Sequence, residues 1–403
     1  MVAKLKPIFA AVKRVINRVK NDGLTHLFRE FYGKLASGGV LLVICATVSI
    51  VLSNTAIGQS WIGFWNINID LHLPGLHAHS LTGWINDGLM TIFFLLVGLE
   101  IERELLVGEL SIPKNALLPV LAAIGGMVFP AAIYAIINRN STENLRGAGI
   151  PTATDIAFAI AMLNALGNRI PSALKVFLSA LAIIDDLGAI LIIAIFYGQG
   201  IHGLALGISL GIFLLLLLLK RTGVRTLPIY ILGGLILWYF LMQSGIHATI
   251  AGVLLAFAIP FKEIKGQSPS AQLMDKLHEP VSWFVLPVFA LANTAIVMES
   301  NAMDGLWQAP ALGIMTGLLL GKPIGIFLAS WISVKYKLAS LPTNTSFKQI
   351  LGAGMLGGIG FTMAIFVANL AFTSPAQIET AKISILMASM LSAVCGFWVL
   401  SRK

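Results

Sequence analysis

Charge is what this sequence has least of. Only 11% of its 403 residues are Asp, Glu, Lys or Arg, against roughly a quarter in a soluble domain. That excludes a soluble globular enzyme, and it equally excludes a disordered chain, which needs charge and few apolar residues. Cysteine is rarer still. Cys45 and Cys395 both sit in apolar runs near opposite ends of the chain, so a disulfide scaffold is excluded and no redox compartment follows. No Cys/His cluster is spaced for a soft metal. His72, His77 and His79 do stand close together, but within a strand-and-turn pattern described below. What the chain has is apolar bulk. At 57% apolar it carries about 230 such residues, enough for about eleven or twelve helices of roughly 20 residues across a bilayer.

Twelve apolar runs can be marked, at 35–53, 84–106, 115–137, 147–167, 171–197, 202–219, 228–242, 247–261, 280–297, 310–333, 349–372 and 380–400. The seventh and eighth are short. An even number places both ends on one side of the membrane. With the N-terminus inside, 23 of the 27 Lys and Arg residues fall on the cytoplasmic side and 3 (Arg139, Arg146 and Lys382) outside, with Lys322 inside a span. Such a bias is the signature of cytoplasmic loops. It accounts for the net charge of +9 through topology, and no nucleic-acid partner is expected.

Residues 1–34 precede the first run as a separate basic segment, with Lys4, Lys6, Lys13, Arg14, Arg18 and Lys20 interleaved with Phe9, Val12 and Ile16. No apolar core follows the early charges, so a cleaved signal is not expected. An amphipathic helix on the anionic inner surface and a solvated tail both fit. Residues 35–403 are expected to form one transmembrane domain. Between the first two runs, Asn66 to Leu73 alternates polar and apolar residues, and Pro74-Gly75 supplies a turn. This outer hairpin over 66–80 can pair with a second copy and make a homodimer, or fold against its own chain.

Ionisable residues inside a bilayer cost roughly 2.5–3.5 kcal/mol each on insertion scales and are usually functional. Asp87 lies near the outer end of the second run, and Glu100 and Glu104 near its inner end. Asp155 is mid-run in the fourth, Asp185 and Asp186 are adjacent in the fifth, and Lys322 is in the tenth. Pro151-Thr152-Ala153-Thr154 precedes Asp155, with Gly147 and Gly149 just before. Proline removes an amide donor and crowds the preceding turn, so an interrupted helix is expected, its freed carbonyls and the Thr154 hydroxyl lining a polar site. Gly352, Gly354, Gly357, Gly358 and Gly360, followed by Phe361-Thr362, mark a second break; close helix packing is the other reading of those glycines. Runs three to five and ten to twelve each place the break in the middle member. Seven runs separate the triplets, an odd number, so they insert in opposite senses as an inverted repeat. The fold expected is thus an all-α polytopic membrane protein of about 12 helices with two inverted three-helix repeats, each holding an interrupted helix, and a small outer β-hairpin.

Carboxylates, a threonine hydroxyl and carbonyls are hard oxygen donors suited to a hard cation. Asp185 and Asp186 project about 100° apart on a helix, so one can line an ion path while the other pairs with Lys322. The same carboxylates can carry protons, and a site that holds either cation or proton while facing one side at a time is sufficient for antiport. Lys322 has a second possible task, offsetting helix C-terminal ends while Asp155 offsets N-terminal ones. Glu100 and Glu104 share a helix face, with Arg103 within reach of Glu100. This cytoplasmic cluster can attract cations, sense pH, or simply be a helix-end ion pair.

Several long motifs stand in register along the chain. They include Trp84-Ile85-Asn86-Asp87-Gly88-Leu89-Met90, Phe93 through Glu100, Ala153-Thr154-Asp155-Ile156-Ala157-Phe158-Ala159, and Ala180 through Ala189 across Asp185-Asp186. Ser244-Gly245-Ile246-His247-Ala248-Thr249, Gly321-Lys322-Pro323 and Gly357 through Met363 follow. On these motifs, from about residue 35 to the end, the sequence closely resembles the NhaA-type bacterial sodium/proton antiporters, themselves among the transporters from which the inverted-repeat rule was drawn. The resemblance implies twelve spans in the bacterial inner membrane and electrogenic exchange of Na+ or Li+ for H+, serving sodium and pH homeostasis. It implies a homodimer through the outer hairpin and no cofactor. Asp186 would be the central cation carboxylate, joined by Asp185, with Thr154 and Asp155 nearby and Lys322 pairing or balancing dipoles. Activation at alkaline pH would involve Glu100, Arg103, Glu104, His278 and His247. The chain departs from well-studied relatives at Met274-Asp275, where they carry an acid and a histidine, and at Ala271 and Gln272, where they are basic. The pH set-point is therefore open while the transport carboxylates are intact. A transporter, not an enzyme, is expected. A cation channel and an intramembrane aspartyl protease are the competing readings. A protease dyad shares one proton between two carboxylates, whereas here three acids accompany a lysine and no Gly-x-Gly-Asp occurs.

Overall fold

The computed structural model describes residues 38–70, 72, 79–198, 200–261, 268–298 and 305–402. The basic segment 1–34 and the Pro74-Gly75 turn lie outside them. The described chain is almost wholly helical. Six helices are long and apolar enough to cross a membrane, and eight if each of two bent pairs counts as one span.

In chain order, α1 (Gly38–Ser53) leads through α2 (Gly58–Trp65) to two short strands. β1 (Asn68–Ile69) and β2 (His79–Ser80) pair antiparallel, Asn68 opposite Ser80 and Ile69 opposite His79. The pair is tied to its own chain: Leu81 N–H donates to the Ile67 carbonyl at 2.9 Å and Trp84 Nε1 to the Ile69 carbonyl at 3.0 Å. Then come α3 (Leu81–Leu106) and α4 (Pro113–Ile137), followed by the first bent pair, α5 (Thr142–Thr152) and α6 (Ile156–Ala165). Next are α7 (Ser172–Phe196), α8 (Gly203–Arg221), α9 (Leu227–Gln243) and α10 (Ile250–Ala258). The eighth apolar run thus holds a helix of only 9 residues, about 13 Å long at 1.5 Å per residue, well short of a bilayer core.

After α10, α11 (Pro269–Pro280) passes through a widened π-turn, Val281–Val285, into α12 (Leu286–Asn293). The remaining elements are α13 (Ala309–Lys335), the second bent pair α14 (Phe347–Gly357) and α15 (Phe361–Ala371), and α16 (Pro375–Ser401). Local chemistry sets several starts. The Ser80 hydroxyl caps α3 by accepting from Gly83 N–H, Ser346 and Gln349 form a reciprocal box at α14, and prolines occupy the first turns of α4, α11 and α16.

The two bent pairs each sit between two long helices, α4 and α7 in one case and α13 and α16 in the other. Backbones come closest where α4 meets α13. A Cβ on Gly125 would lie 2.4 Å from the Gly325 carbonyl oxygen, and one on Gly325 would lie 2.2 Å from that of Gly125. Glycines on both helices allow this approach, the small-residue packing of helices in membranes. Within α13, Gly317–Gly321 is a π-turn ending at Lys322. Pro323 has no amide to bond the Leu319 carbonyl, and its ring crowds that turn; widening the turn accommodates both. Lys322 therefore leaves the helix at a point fixed by its neighbour.

Candidate functional site

The bends are 41° between α5 and α6 and 48° between α14 and α15, and the two breaks cross each other. Arg146–Thr152, with Pro151 inside, winds as a tight 3-10 helix. Ala153 and Asp155 are extended, and α6 begins at Ile156. Asp155 N–H donates to the Ile359 carbonyl in the other break at 2.7 Å. Four helix ends converge there, and each meets a group of suitable charge or hydrogen-bonding type.

The N-terminal ends of α6 and α15 both meet Asp155. Its Oδ1 accepts from Phe158 N–H at 3.0 Å, and its Oδ2 accepts from Thr362 N–H at 3.2 Å and from the Thr362 hydroxyl. One carboxylate thus faces the positive ends of two half-helices. The C-terminal ends are met by donors. Lys322 Nζ donates to the Thr152 carbonyl, and the Thr154 hydroxyl reaches the Gly357 carbonyl at 2.9 Å. Lys322 Nζ also lies 3.0 Å from Asp185 Oδ2. Thr154 Oγ1 is 2.9 Å from that same oxygen. A hydroxyl has one proton, so Thr154 shares it between Asp185 and Gly357, or gives it wholly to Gly357 when Asp185 itself carries a proton.

Asp155, Asp185, Asp186, Thr154 and Lys322 are each at most 2% exposed. Among the described residues Asp185 Oδ1 and Asp186 Oδ1 are buried without a hydrogen-bond partner. Buried acceptors left so are costly in a finished structural core; they are what a site that takes up a cation or a proton requires. Asp186 also lies within electrostatic reach of Asp185, Glu100, Lys322 and Asp155.

A cavity of about 30 Å³ runs from Glu100 and His278 to Asp155 and Thr362, walled by Phe93, Leu286 and their neighbours. It is large enough for water. Its lining includes Asp155 but neither Asp185 nor Asp186.

The cluster around Glu100 and Glu104 draws partners from beyond its own helix. Glu100 Oε1 faces His278 Nε2 at 3.6 Å, while Arg103 Nη2 lies 3.1 Å from Glu104 and within electrostatic reach of Glu100. α11 brings His278 against Glu100, and Glu104 also accepts the Glu109 N–H of the next turn at 3.0 Å. His247 stands apart, its Nε2 3.0 Å from the Tyr197 carbonyl. Asp87 sits in the π-turn Ile85–Leu89 of α3, its carbonyl accepting from Trp238 Nε1 at 2.9 Å, and is not brought to the crossing by any described bond. Thr362 follows the glycine break marked in the sequence, and its hydroxyl reaches Asp155 across it. One further pair has no sign in the sequence. Glu102, 6% exposed, pairs with Lys220 at 2.8 Å and accepts from Ser270 at 3.4 Å; no local pattern joins positions 118 residues apart.

Two interrupted helices that cross at buried carboxylates, with a lysine and an aspartate on their opposed ends, define secondary transporters built on discontinuous helices. Residues 29–400 match the sequence pattern of the family Na+/H+ antiporter 1, and the chain belongs to that family. A relative from Flavobacterium psychrophilum, named Na(+)/H(+) antiporter NhaA, is 51% identical over 377 residues, 94% of this chain and 96% of its own. One from Flavobacterium johnsoniae, Na(+)/H(+) antiporter NhaA 1, is 52% identical over 375 residues, 93% of this chain and 96% of its own. The same protein type from Salmonella arizonae is 46% identical over 384 residues, 94% of this chain and 99% of its own.

Proposed function

We propose that the chain exchanges Na+ for H+ across a bacterial inner membrane by alternating access, with Asp186 as the central cation carboxylate and Asp185 beside it. The observation that carries this reading is the pair of buried carboxylate oxygens, Asp185 Oδ1 and Asp186 Oδ1, without partners next to two crossed helix breaks. Hard oxygen donors suit Na+ and the smaller Li+. A carboxylate that binds the cation must first be rid of its proton, so the two ions compete for the same atoms. Thr154 and Asp155 hold the crossing in shape. Lys322 keeps Asp185 compensated while the site is loaded or empty. Exchange is electrogenic and driven by the proton gradient.

The chain makes twelve crossings arranged as an inverted repeat, the eighth completed by non-helical chain on either side of the short α10, with both ends of the chain cytoplasmic, and two copies associate through the outer hairpin. Glu100 with His278, Arg103 with Glu104, and His247 form the pH-responsive set that turns exchange on at alkaline pH. The cavity between Glu100 and Asp155 supports a cytoplasmic approach to the crossing. The channel reading is disfavoured by the crossed breaks and the charge-compensating lysine, and the protease reading by that same lysine beside the Asp pair.

Purified protein in sealed proteoliposomes tests the reading. An imposed proton gradient is expected to drive Na+ and Li+ accumulation, with K+ inert, and to leave a charge imbalance that valinomycin and K+ relieve. Cation uptake with no coupled proton movement would make the protein a channel and remove the antiport reading.

A further inference from the structure

A second cavity, of about 410 Å³, lies between α4, α5 and α7, at the end of the fold where the 142–149 segment sits. Ala131, Ala148, Gly149, Ile192 and Phe196 are among the residues that line it, together with Arg146. The lining is almost wholly apolar, so the cavity is no water site, which would need two to four polar partners. Phe196 is 68% exposed, so the cavity reaches the surface of the protein beside it.

Arg146 is the unusual member. The bias in basic residues leaves only 3 on the outer side, and Arg146 is one of them. Among the described residues its guanidinium makes no ion pair and no side-chain hydrogen bond. Its backbone is nonetheless fixed. The Tyr197 hydroxyl donates to the Arg146 carbonyl at 2.7 Å, and the Tyr134 hydroxyl donates to the Asn144 carbonyl at 2.8 Å. Two tyrosines thus hold the segment down while the guanidinium stays available. Ala131 is six residues before the end of α4, about 9 Å deep along the helix, so the apolar part lies below the charge.

We propose that this cavity binds one phospholipid of the outer leaflet, with its phosphodiester on Arg146 and the upper part of an acyl chain over Ala131, Ile192 and Phe196. Charge above and apolar volume below match that ligand and no soluble one. A guanidinium recognises a phosphate oxygen pair bidentately. The lipid would abut Gly149, inside the 3-10 turn that leads to the Thr152 carbonyl held by Lys322. The proposal rests on the outer placement of Arg146 and not on Asp186.

Native mass spectrometry of the full chain, released from detergent after incubation with a diacyl phosphatidylglycerol, reads the binding directly. The parent chain is expected to retain one tightly held lipid. Arg146→Gln should lower its occupancy about fivefold, the loss of one cationic contact, and Arg146→Lys should recover most of it. Ala148→Phe, which fills the cavity while keeping the charge, should lower it as well. Glycerol phosphate without chains and diacylglycerol without phosphate should both fail to compete. Equal occupancy in the parent, Arg146→Gln and Ala148→Phe would overturn the proposal, and competition by glycerol phosphate would make the site one for a small anion instead. Asp186→Asn is expected to keep the lipid while losing exchange, so failure of one reading is distinguishable from failure of the other.

Discussion

Asp155 meets three donors from two half-helices, which makes it the residue on which the crossing most depends. Removing one of those donors isolates its part. Thr362→Val keeps the side-chain shape and deletes the hydroxyl, leaving a buried carboxylate short of a partner. A cost of about 1–3 kcal/mol is expected, read as a lower melting temperature in detergent. Lys322→Ala is expected to be more severe, about 3–5 kcal/mol, because Asp185 is then buried without its counter-charge. The same change should alter the preference between Na+ and Li+ much less than it lowers the melting temperature; an unchanged melt would contradict the ion pair. These residues were legible in the sequence because acids and a lysine inside apolar runs are rare and expensive. Their partners were less so. Glu100 also meets His278 arriving from α11, for which nothing near residue 100 gives a sign.

At the scale of the elements, the breaks were readable and the lengths were not. Pro151 and the run of glycines before Phe361 announce where α5 and α14 end, because proline removes a donor and glycine stabilises no turn. The short α10 was hidden, since Ile259 and Pro260 are apolar enough to extend its run though the helix stops at Ala258. The Glu102–Lys220 pair also belongs here. It joins α3 to the end of α8, and Lys220 Nζ also donates to the Phe257 carbonyl near the end of α10 at 2.8 Å, so its partners became visible only once the helices were packed. The closest contact between elements, Gly125 against Gly325, gives a direct prediction. Gly325→Ala places a methyl against the backbone of α4, and overpacking of this kind costs typically about 1–3 kcal/mol. The expected result is a lower melting temperature, with the parent pH profile of exchange retained in the fraction that stays folded. Unchanged stability would mean the two helices can separate freely.

Over the whole molecule, the proposed orientation rests on the distribution of basic residues. In a Cys45→Ala, Cys395→Ala background, a cysteine at Glu143→Cys should react with a membrane-impermeant maleimide in intact cells. One at Lys337→Cys should react only in everted vesicles. The reverse pattern would invert the topology, and with it the direction of exchange. The outer hairpin carries the assembly claim. Ile67 is exposed beside β1, and Ile67→Glu should shift a cross-linkable dimer to monomer while leaving the melting temperature near that of the parent.

The central claim is that Asp186 holds either the cation or the proton. The measurement that meets it most directly is the response of a pH dye in energised everted vesicles, with Na+, Li+ or K+ added in turn from neutral to alkaline pH. Parent vesicles should dequench with Na+ and Li+ and not with K+, while Asp186→Asn vesicles holding the same amount of folded protein should give no response. Near-normal dequenching in Asp186→Asn would contradict the account and move the exchange site away from the crossed helices.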